Sequence, residues 1–237
     1  MIFKIYRLEK NNFKKMNVVQ KIYIHLQKNI IFMSTAERKA REKEALKSLI
    51  LKGAKKLFLE RGIEQTTIRN IADEIDYSVG TVYVYFKDKN AILHDLHSIG
   101  FQELGGYFKD LFAIEDPMER LIKMGFTYIK FAMENSEMYD LMFNVKAPME
   151  FIENSEKEGW NEGADTFGAL KTTVEDCMSK GHFEGHLSEP LSFMIWSLVH
   201  GMCCLEIRQR TKGVKFSNPD TILFDGYNEY LKIIRKL

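Results

Sequence analysis

The chain of 237 residues is poor in proline, glycine and cysteine. It has only four prolines and fifteen glycines but many Leu, Lys, Glu and Met residues, a balance that favours a mostly helical fold. The three cysteines are odd in number and two are adjacent, so we expect a reducing, cytoplasmic location rather than a secreted disulfide framework. No uninterrupted apolar run approaches the length of a membrane span, so we expect no transmembrane segment.

The sequence also lacks the patterns that carry catalysis or hold a metal. It contains no phosphate-binding glycine loop, no nucleophile elbow and no zinc-protease pattern. His182 and His186 lie four residues apart, with His200 and the pair Cys203-Cys204 downstream, but no Cys-x-x-Cys accompanies them. Apolar packing is the common role of such cysteines. We therefore predict that the chain is not an enzyme and has no metal and no cofactor.

The formal net charge of +1 conceals a gradient along the chain. Residues 1–33 carry seven Lys or Arg against one Glu, and residues 34–98 carry twelve against ten acidic residues. Residues 99–237 carry fifteen against twenty-two. A basic front and an acidic rear are typical of a two-part protein that contacts nucleic acid through its front.

Residues 1–33 differ from the rest in being rich in Lys, Asn and Ile. We predict a basic N-terminal extension that is disordered or not translated. Met33, followed by Ser34, looks like a natural start, and we expect translation to begin there. A basic arm that grips DNA phosphates is the alternative.

Residues 66–89 have the pattern of two short helices joined by a tight turn. Thr67 is placed to cap the first helix, which repeats apolar residues on one face, and Ser78 is placed to cap the second. Val82 and Phe86 of the second helix lie four residues apart and can face the first. Each helix is too short to be stable alone in water, so the pair must pack together and on a neighbour, as a helix-turn-helix does.

Capping residues, helix breakers and apolar spacing together predict an all-α fold of about nine helices with no strand. The expected helices are residues 36–61, 68–75, 79–86, 89–112, 117–135, 137–144, 164–180, 190–211 and 219–236. Residues 149–163 are acidic and interrupted by glycine, and no element is predicted there.

The segment 66–89 combines a threonine pair, Ile-Ala, the run Ser-x-Gly-Thr-x-Tyr-x-Tyr-Phe and a final Lys-x-Lys. This combination closely resembles the N-terminal domain of the tetracycline-repressor (TetR) family, over about residues 40–98. The string 196–201, Trp-Ser-Leu-Val-His-Gly, more loosely resembles one family of TetR-type ligand domains. The resemblance implies a homodimeric, ligand-responsive DNA-binding regulator, usually a repressor. It implies three parts: the extension 1–33, a DNA-binding domain 34–98, and a ligand-binding and dimerisation domain 99–237.

The residues that match the family pattern are the candidates for DNA contact. They are Thr67, Arg69, Val79, Gly80, Thr81, Tyr83, Val84, Tyr85, Lys87 and Lys89. Gly80 and Thr81 have little bulk, so the start of the second helix can approach the DNA groove. Arg69 can reach a guanine edge or a phosphate, and the two lysines suit phosphates. On a helix the two tyrosines diverge by about 200°, although the family pattern places both hydroxyls near DNA.

The rear of the chain has more aromatic and Met surface than a minimal bundle requires. We expect a pocket for an apolar or aromatic effector. Its candidate residues are Tyr128, Phe131, Met142, Trp160, Trp196 and His200. Plain core packing is the alternative for these side chains.

The last two predicted helices carry surplus apolar faces. The first of them has a coiled-coil-like seam formed by Leu191, Ile195, Leu198, Met202 and Leu205. We expect a homodimer through these two helices, with purely intramolecular core as the alternative.

The predicted function is sequence-specific transcriptional regulation by a homodimer that binds a palindromic operator of double-stranded DNA and is released from it by a small effector. Two alternatives remain open. One is an enzyme that uses the rear cavity, and the other is an architectural protein that binds DNA without sequence preference.

Overall fold

The computed structural model describes residues 35–144 and 162–237. Over these residues the fold is all-α, as predicted, with nine α-helices, a short 3-10 turn at Arg210–Gly213 and no strand. The helices are α1 (Thr35–Arg61), α2 (Ile68–Glu74), α3 (Val79–Tyr85), α4 (Lys89–Leu111), α5 (Pro117–Glu134), α6 (Ser136–Phe143), α7 (Glu162–Ser179), α8 (Ser188–Ile207) and α9 (Ile222–Ile234).

The chain divides into two compact units, residues 1–49 and 50–237. The described part of the first unit is the start of α1, where Arg38 pairs with Glu42 one turn further on, with an N–O distance of 3.6 Å. The second unit contains the rest of α1 and all the other helices. The extension 1–33 lies outside the described residues, and the predicted boundary near residue 98 stays a prediction.

Side-chain caps start the helices at the predicted places. Thr67 accepts a hydrogen bond from the Asn70 amide, and the Asn70 side chain accepts one in return from the Thr67 amide, forming a capping box. Ser78 caps α3, Asp88 caps α4 and Asp116 caps α5. These local bonds satisfy amides that would otherwise lack partners, which explains why the starts could be read from the sequence.

The helix-turn-helix buries its apolar faces, and Ile75 at the end of α2 lies against Gly53 of α1. Ile71 and Ala72 of α2 and Val82 of α3 are fully buried, together with Leu57 of α1 and Ile92 of α4. Burial of such side chains supplies the stability that two seven-residue helices lack on their own.

The helices α4 to α9 form the rear bundle, in which α7 packs on α4, α5 and α8. Its core is a continuous apolar cluster that includes Leu104, Ile129, Val174, Cys203 and Tyr227. The helix α7 ends before Gly181, whose φ of +87° suits glycine, as predicted.

Two helix boundaries in the rear differ from the predictions by three or more residues. The helix α8 ends at Ile207 rather than near Thr211, because Gln209 adopts a left-handed conformation with φ of +55°. The helix α9 begins at Ile222, so Pro219 lies in the turn before it.

The helix α8 is long and apolar enough, by length and composition, to cross a membrane, and only 28% of its apolar window is buried. Ser197, His200 and Gly201 interrupt the apolar residues of α8, so this helix contains no long uninterrupted apolar run. In this fold one face of α8 packs into the core.

The predicted seam on α8 was wrong in part. Leu191 and Ile195 are buried in the chain's own core, whereas Leu198 and Leu205 are exposed. The free apolar face of α8 consists of Phe193, Met194, Leu198 and Leu205. A helix that is apolar nearly all round does not reveal which face the core will take.

Candidate functional site

The helix-turn-helix leaves most of the predicted DNA-contact residues accessible. Thr67, Arg69, Gly80, Tyr83, Val84 and Lys87 are exposed or half-buried, as are Val79, Thr81, Tyr85 and Lys89, and none of the ten is buried. Val84 is 77% exposed and Tyr83 is 55% exposed, so both side chains are accessible on the surface of α3.

Tyr77 was not predicted as a site residue, and it lies in the turn directly before α3 with 45% of its surface exposed. Asp76 beside it takes a left-handed conformation, with φ of +57°, that makes this turn tight. An aromatic residue inside the turn of a helix-turn-helix is the sequence signal that could have pointed to Tyr77.

Gly80 has no packing reason to be glycine. A Cβ atom built there would meet only the Ser78 hydroxyl, at an ordinary contact distance of 3.7 Å. The Ser78 hydroxyl itself lies 2.8 Å from the Thr81 hydroxyl and caps the helix. The lack of bulk at Gly80 is therefore not required by any contact among the described residues, and its predicted role in DNA approach stays a prediction.

Lys89 has a different environment from that expected of a phosphate contact. Its ammonium group donates hydrogen bonds to the backbone carbonyls of Ile63, Glu64 and Thr66, at 2.8, 3.3 and 3.4 Å. These carbonyls belong to the loop that joins α1 to α2. Lys89 thus ties the start of α4 to the loop that precedes the helix-turn-helix, and sequence spacing cannot show this because the partners lie more than twenty residues away.

The rear bundle encloses a cavity of about 280 Å³. Its walls come from α4 to α9, and α4 contributes Phe101, Leu104 and Phe108. Among the described residues that line it, none is Lys, Arg, Asp, Glu or His. The cavity is therefore suited to an apolar ligand.

The six predicted ligand residues divide into four groups. Tyr128 and Trp196 line the cavity. Phe131 and Met142 do not: Phe131 packs edge-on against Tyr107 in the core, and the Met142 sulfur fills the space left by Gly100. These two were misplaced because helical spacing shows that a side chain is buried but not what it is buried against.

His200 does not line the cavity but lies behind its wall, where Nδ1 of its ring contacts the Tyr128 hydroxyl. Trp160 lies outside the described residues. The prediction missed Tyr227 and Tyr230 of α9, which line the cavity. The Tyr227 hydroxyl donates to the Ile122 carbonyl, at 3.0 Å.

A chain of polar side chains runs from the cavity wall into the bundle. The Trp196 indole donates to the Tyr128 hydroxyl at 3.2 Å, and this hydroxyl lies 3.1 Å from that of Tyr139. Both hydroxyls contact Nδ1 of His200, at 3.1 Å from Tyr128 and 2.6 Å from Tyr139. On the other side of the ring, Nε2 lies 3.3 Å from the Cys204 sulfur.

Burial keeps this polar chain uncharged. It raises the pKa of both tyrosine hydroxyls and lowers the pKa of His200 below its ordinary value. The imidazole is therefore neutral near pH 7, with one nitrogen that donates and one that accepts.

Two family models match the chain. "Bacterial regulatory proteins, tetR family" matches residues 50–96, and "Tetracyclin repressor-like, C-terminal domain" matches residues 121–225. Together they cover more than half of the chain, including the helix-turn-helix and most of the cavity wall. A search of curated proteins gave no match.

Solved structures share the fold at low sequence identity. The transcriptional regulator FadR from Bacillus subtilis, in complex with stearoyl-CoA, has a TM-score of 0.63 at 16% identity, covering 79% of this chain and 96% of that one. A putative fatty acid metabolism regulator from Clostridium perfringens has a TM-score of 0.62 at 19% identity, covering 80% and 98%. The TetR family transcriptional regulator PfmR from Thermus thermophilus has a TM-score of 0.59 at 19% identity, covering 78% and 96%.

Proposed function

This chain belongs to the tetracycline-repressor (TetR) family of bacterial transcriptional regulators, and from that premise we propose that it is a repressor released from a palindromic operator by a small apolar effector. In this proposal it acts in the cytoplasm as a homodimer. Each subunit places its helix-turn-helix in one of two successive major grooves.

The accessible residues of the helix-turn-helix support the DNA-binding part of the proposal. Arg69 and Tyr83 are both available to contact bases or phosphates, and Gly80 lets the start of α3 come close to the groove. Lys87 is exposed and suits a phosphate. Lys89 acts in this scheme by holding the loop before α2, through its three bonds to backbone carbonyls.

The observation that carries the proposal is that one helix belongs to both functional regions. Phe101, Leu104 and Phe108 of α4 line the cavity, and Lys89 at the start of the same helix is bonded to the loop that leads into the helix-turn-helix. A ligand that displaces the cavity wall therefore acts on the helix that holds the DNA-binding residues. A coupling free energy of about 1–3 kcal/mol, typical of allostery, changes operator affinity about 5- to 150-fold.

The free apolar faces of the last two helices support the homodimer. Phe193, Met194 and Leu205 of α8 are each more than half exposed, and so is Ile233 of α9. Clustered exposure of large apolar side chains is typical of a protein–protein interface. Pairing α8 and α9 of two chains into a four-helix interface would bury these side chains.

The effector proposed here is uncharged and apolar or aromatic. The cavity walls offer carbon surface and a few hydroxyl and indole groups, with no charged side chain among the described lining residues. Stearoyl-CoA, which the Bacillus subtilis neighbour binds, has a long apolar chain, and a shorter apolar group suits the cavity of this chain.

Selection of bound sequences from random DNA duplexes tests the proposal. We expect the full-length protein to recover a palindromic consensus. Arg69→Ala and Tyr83→Ala should lower affinity for it about 5- to 100-fold, because each removes a contact to base or backbone. The matched control Arg210→Ala, at an exposed arginine outside the helix-turn-helix, should keep wild-type affinity.

Recovery of random sequence with a steep salt dependence would contradict the proposal and favour the architectural alternative. Turnover of a bound small molecule, together with DNA binding that tolerates Tyr83→Ala, would favour the enzyme alternative.

A further inference from the structure

The polar chain behind the cavity meets the cavity wall at two residues, Tyr128 and Trp196. The rest of the wall is mainly aromatic and aliphatic, with further hydroxyl groups on Thr166, Tyr227 and Tyr230. A buried polar network inside an apolar bundle is costly unless its donors and acceptors are matched. The distribution of its protons therefore shows which hydrogen-bond donor or acceptor it can present to a ligand.

The proton positions follow from the far end of the network. Asn144 donates through its amide nitrogen to Asp140, at 2.9 Å, and accepts through its oxygen from the Cys204 thiol, at 3.6 Å. The sulfur is then free to accept from Nε2–H of His200. Because a neutral imidazole carries one proton, this assignment of the Cys204 thiol makes Nδ1 the acceptor, with Tyr139 as its donor at 2.6 Å.

At the cavity end of the network, no other group depends on the proton of the Tyr128 hydroxyl. The Tyr128 oxygen accepts from Trp196, so the Tyr128 proton can go only to the Tyr139 oxygen or to the Nδ1 atom that Tyr139 already serves. If the Tyr128 hydroxyl donated its proton to a ligand, Nδ1 of His200 would still accept a hydrogen bond from Tyr139. The network therefore holds a donor that it can release at little cost, next to the cavity.

We propose that Tyr128 is the polar anchor of the cavity and that it selects effectors carrying an uncharged hydrogen-bond acceptor, such as the carbonyl oxygen of an ester, thioester, ketone or amide, over those ending in a carboxylate. The inference rests on the proposed function and names its ligand class. Tyr139 and His200 are positioning residues, because they act on the ligand only through Tyr128.

The lining residues explain the preference against a carboxylate. An ionised carboxylate that leaves water needs a cation or several donors, and no Lys, Arg or His is present among the described residues of the wall. A carbonyl oxygen needs one donor, which Tyr128 supplies. The volume of about 280 Å³ is roughly twice the ~150 Å³ of an apolar cavity that holds benzene, so about a dozen non-hydrogen atoms fit.

Three probes of that size test the inference by calorimetric titration of the full-length protein. Methyl hydrocinnamate and gamma-phenylbutanoate have the same number of non-hydrogen atoms, one an uncharged ester and the other a carboxylate near neutral pH. Hexylbenzene matches that number and has no acceptor. We expect the ester to bind at least about 10-fold more tightly than the carboxylate.

The ratio of ester to hexylbenzene affinity isolates the hydrogen bond, because a general change in the cavity alters both affinities together. Tyr128→Phe should lower this ratio about 3- to 10-fold, the worth of one hydrogen bond. Tyr139→Phe should lower it too, since the Tyr128 proton must then serve His200. The control Tyr107→Phe removes a hydroxyl outside the cavity wall and should leave the ratio unchanged.

If Tyr128→Phe still binds hexylbenzene, the cavity is intact in this variant. If it does not, the affinity ratio of Tyr139→Phe provides the test instead. Tighter binding of the carboxylate than of the ester would overturn the inference, as would a ratio unchanged in both phenylalanine variants. Failure of all three probes to bind would also overturn it. Operator selection is read independently, so the proposed function could survive any of these results.

Discussion

Gly125 lies where the cavity wall is most tightly packed, and its substitution by alanine has a predictable cost. A Cβ atom at this position would lie 1.9 Å from the hydroxyl oxygen of Tyr227 and 2.5 Å from the ring carbon that carries it. Tyr227 is only 2% exposed and its hydroxyl donates to the Ile122 carbonyl, so the ring cannot move away without losing a buried bond.

The magnitude follows from three contributions to the free energy of unfolding. Alanine gains about 1 kcal/mol over glycine inside a helix. The forced shift of a buried ring costs about 1–3 kcal/mol, and the lost hydrogen bond costs about 1 kcal/mol more. We expect Gly125→Ala to be less stable than the wild type by about 1–3 kcal/mol, which corresponds to a fall in Tm of roughly 2–10 °C for a chain of this size.

Gly106→Ala is the matched control. Gly106 lies in the exposed part of α4, and nothing would come within 4 Å of an added Cβ. The same substitution should therefore raise stability there by about 0.5–1 kcal/mol. Urea or thermal unfolding followed by circular dichroism measures both. Equal stabilisation of the two variants would refute the packing that places Tyr227 against Gly125.

Three further predictions test other parts of the structure. Lys89→Met should lower the free energy of unfolding by about 1–3 kcal/mol, because it removes a charged donor from three carbonyls, whereas Lys52→Met, at an exposed lysine of α1, should change it by less than about 0.5 kcal/mol; equal effects in urea unfolding would contradict the role given to Lys89. Gly80→Ala should leave the Tm unchanged or slightly higher but weaken operator binding in a mobility-shift titration, and unchanged binding would argue against close approach of α3 to DNA. Burial lowers the pKa of His97 from 6.5 to about 4, so the unfolded chain takes up a proton before the folded one does. The contribution of His97 to stability should be complete above pH 6.5 and fall by about 3 kcal/mol as the pH drops toward 4, so unfolding measured across this range should show a shallower slope in His97→Gln.

The parts of the fold that depend on local chemistry could be predicted from the sequence. Thr67, Ser78, Asp88 and Asp116 each cap the helix that follows, and each bond joins residues at most three positions apart. The match of residues 50–96 to the TetR model confirms the family that the motif indicated.

The parts that depend on tertiary packing could not be predicted in the same way. Phe131 and Met142 have the same helical spacing as Tyr128, yet only Tyr128 reaches the cavity. Lys89 has the sequence context of a phosphate contact, and its carbonyl partners are visible only in the folded chain. The free face of α8 was misjudged because the helix is apolar on nearly every side, so the sequence pattern does not distinguish core from interface.

The central claim is that the cavity and the DNA-binding helices are coupled through α4. Its most direct test is to measure affinity for the selected operator with and without a ligand that calorimetry shows to occupy the cavity. The account predicts a fall of about 5- to 150-fold when the ligand saturates the protein, and an equal weakening of ligand binding when operator is present. Operator affinity that stays the same at full occupancy of the cavity would contradict it.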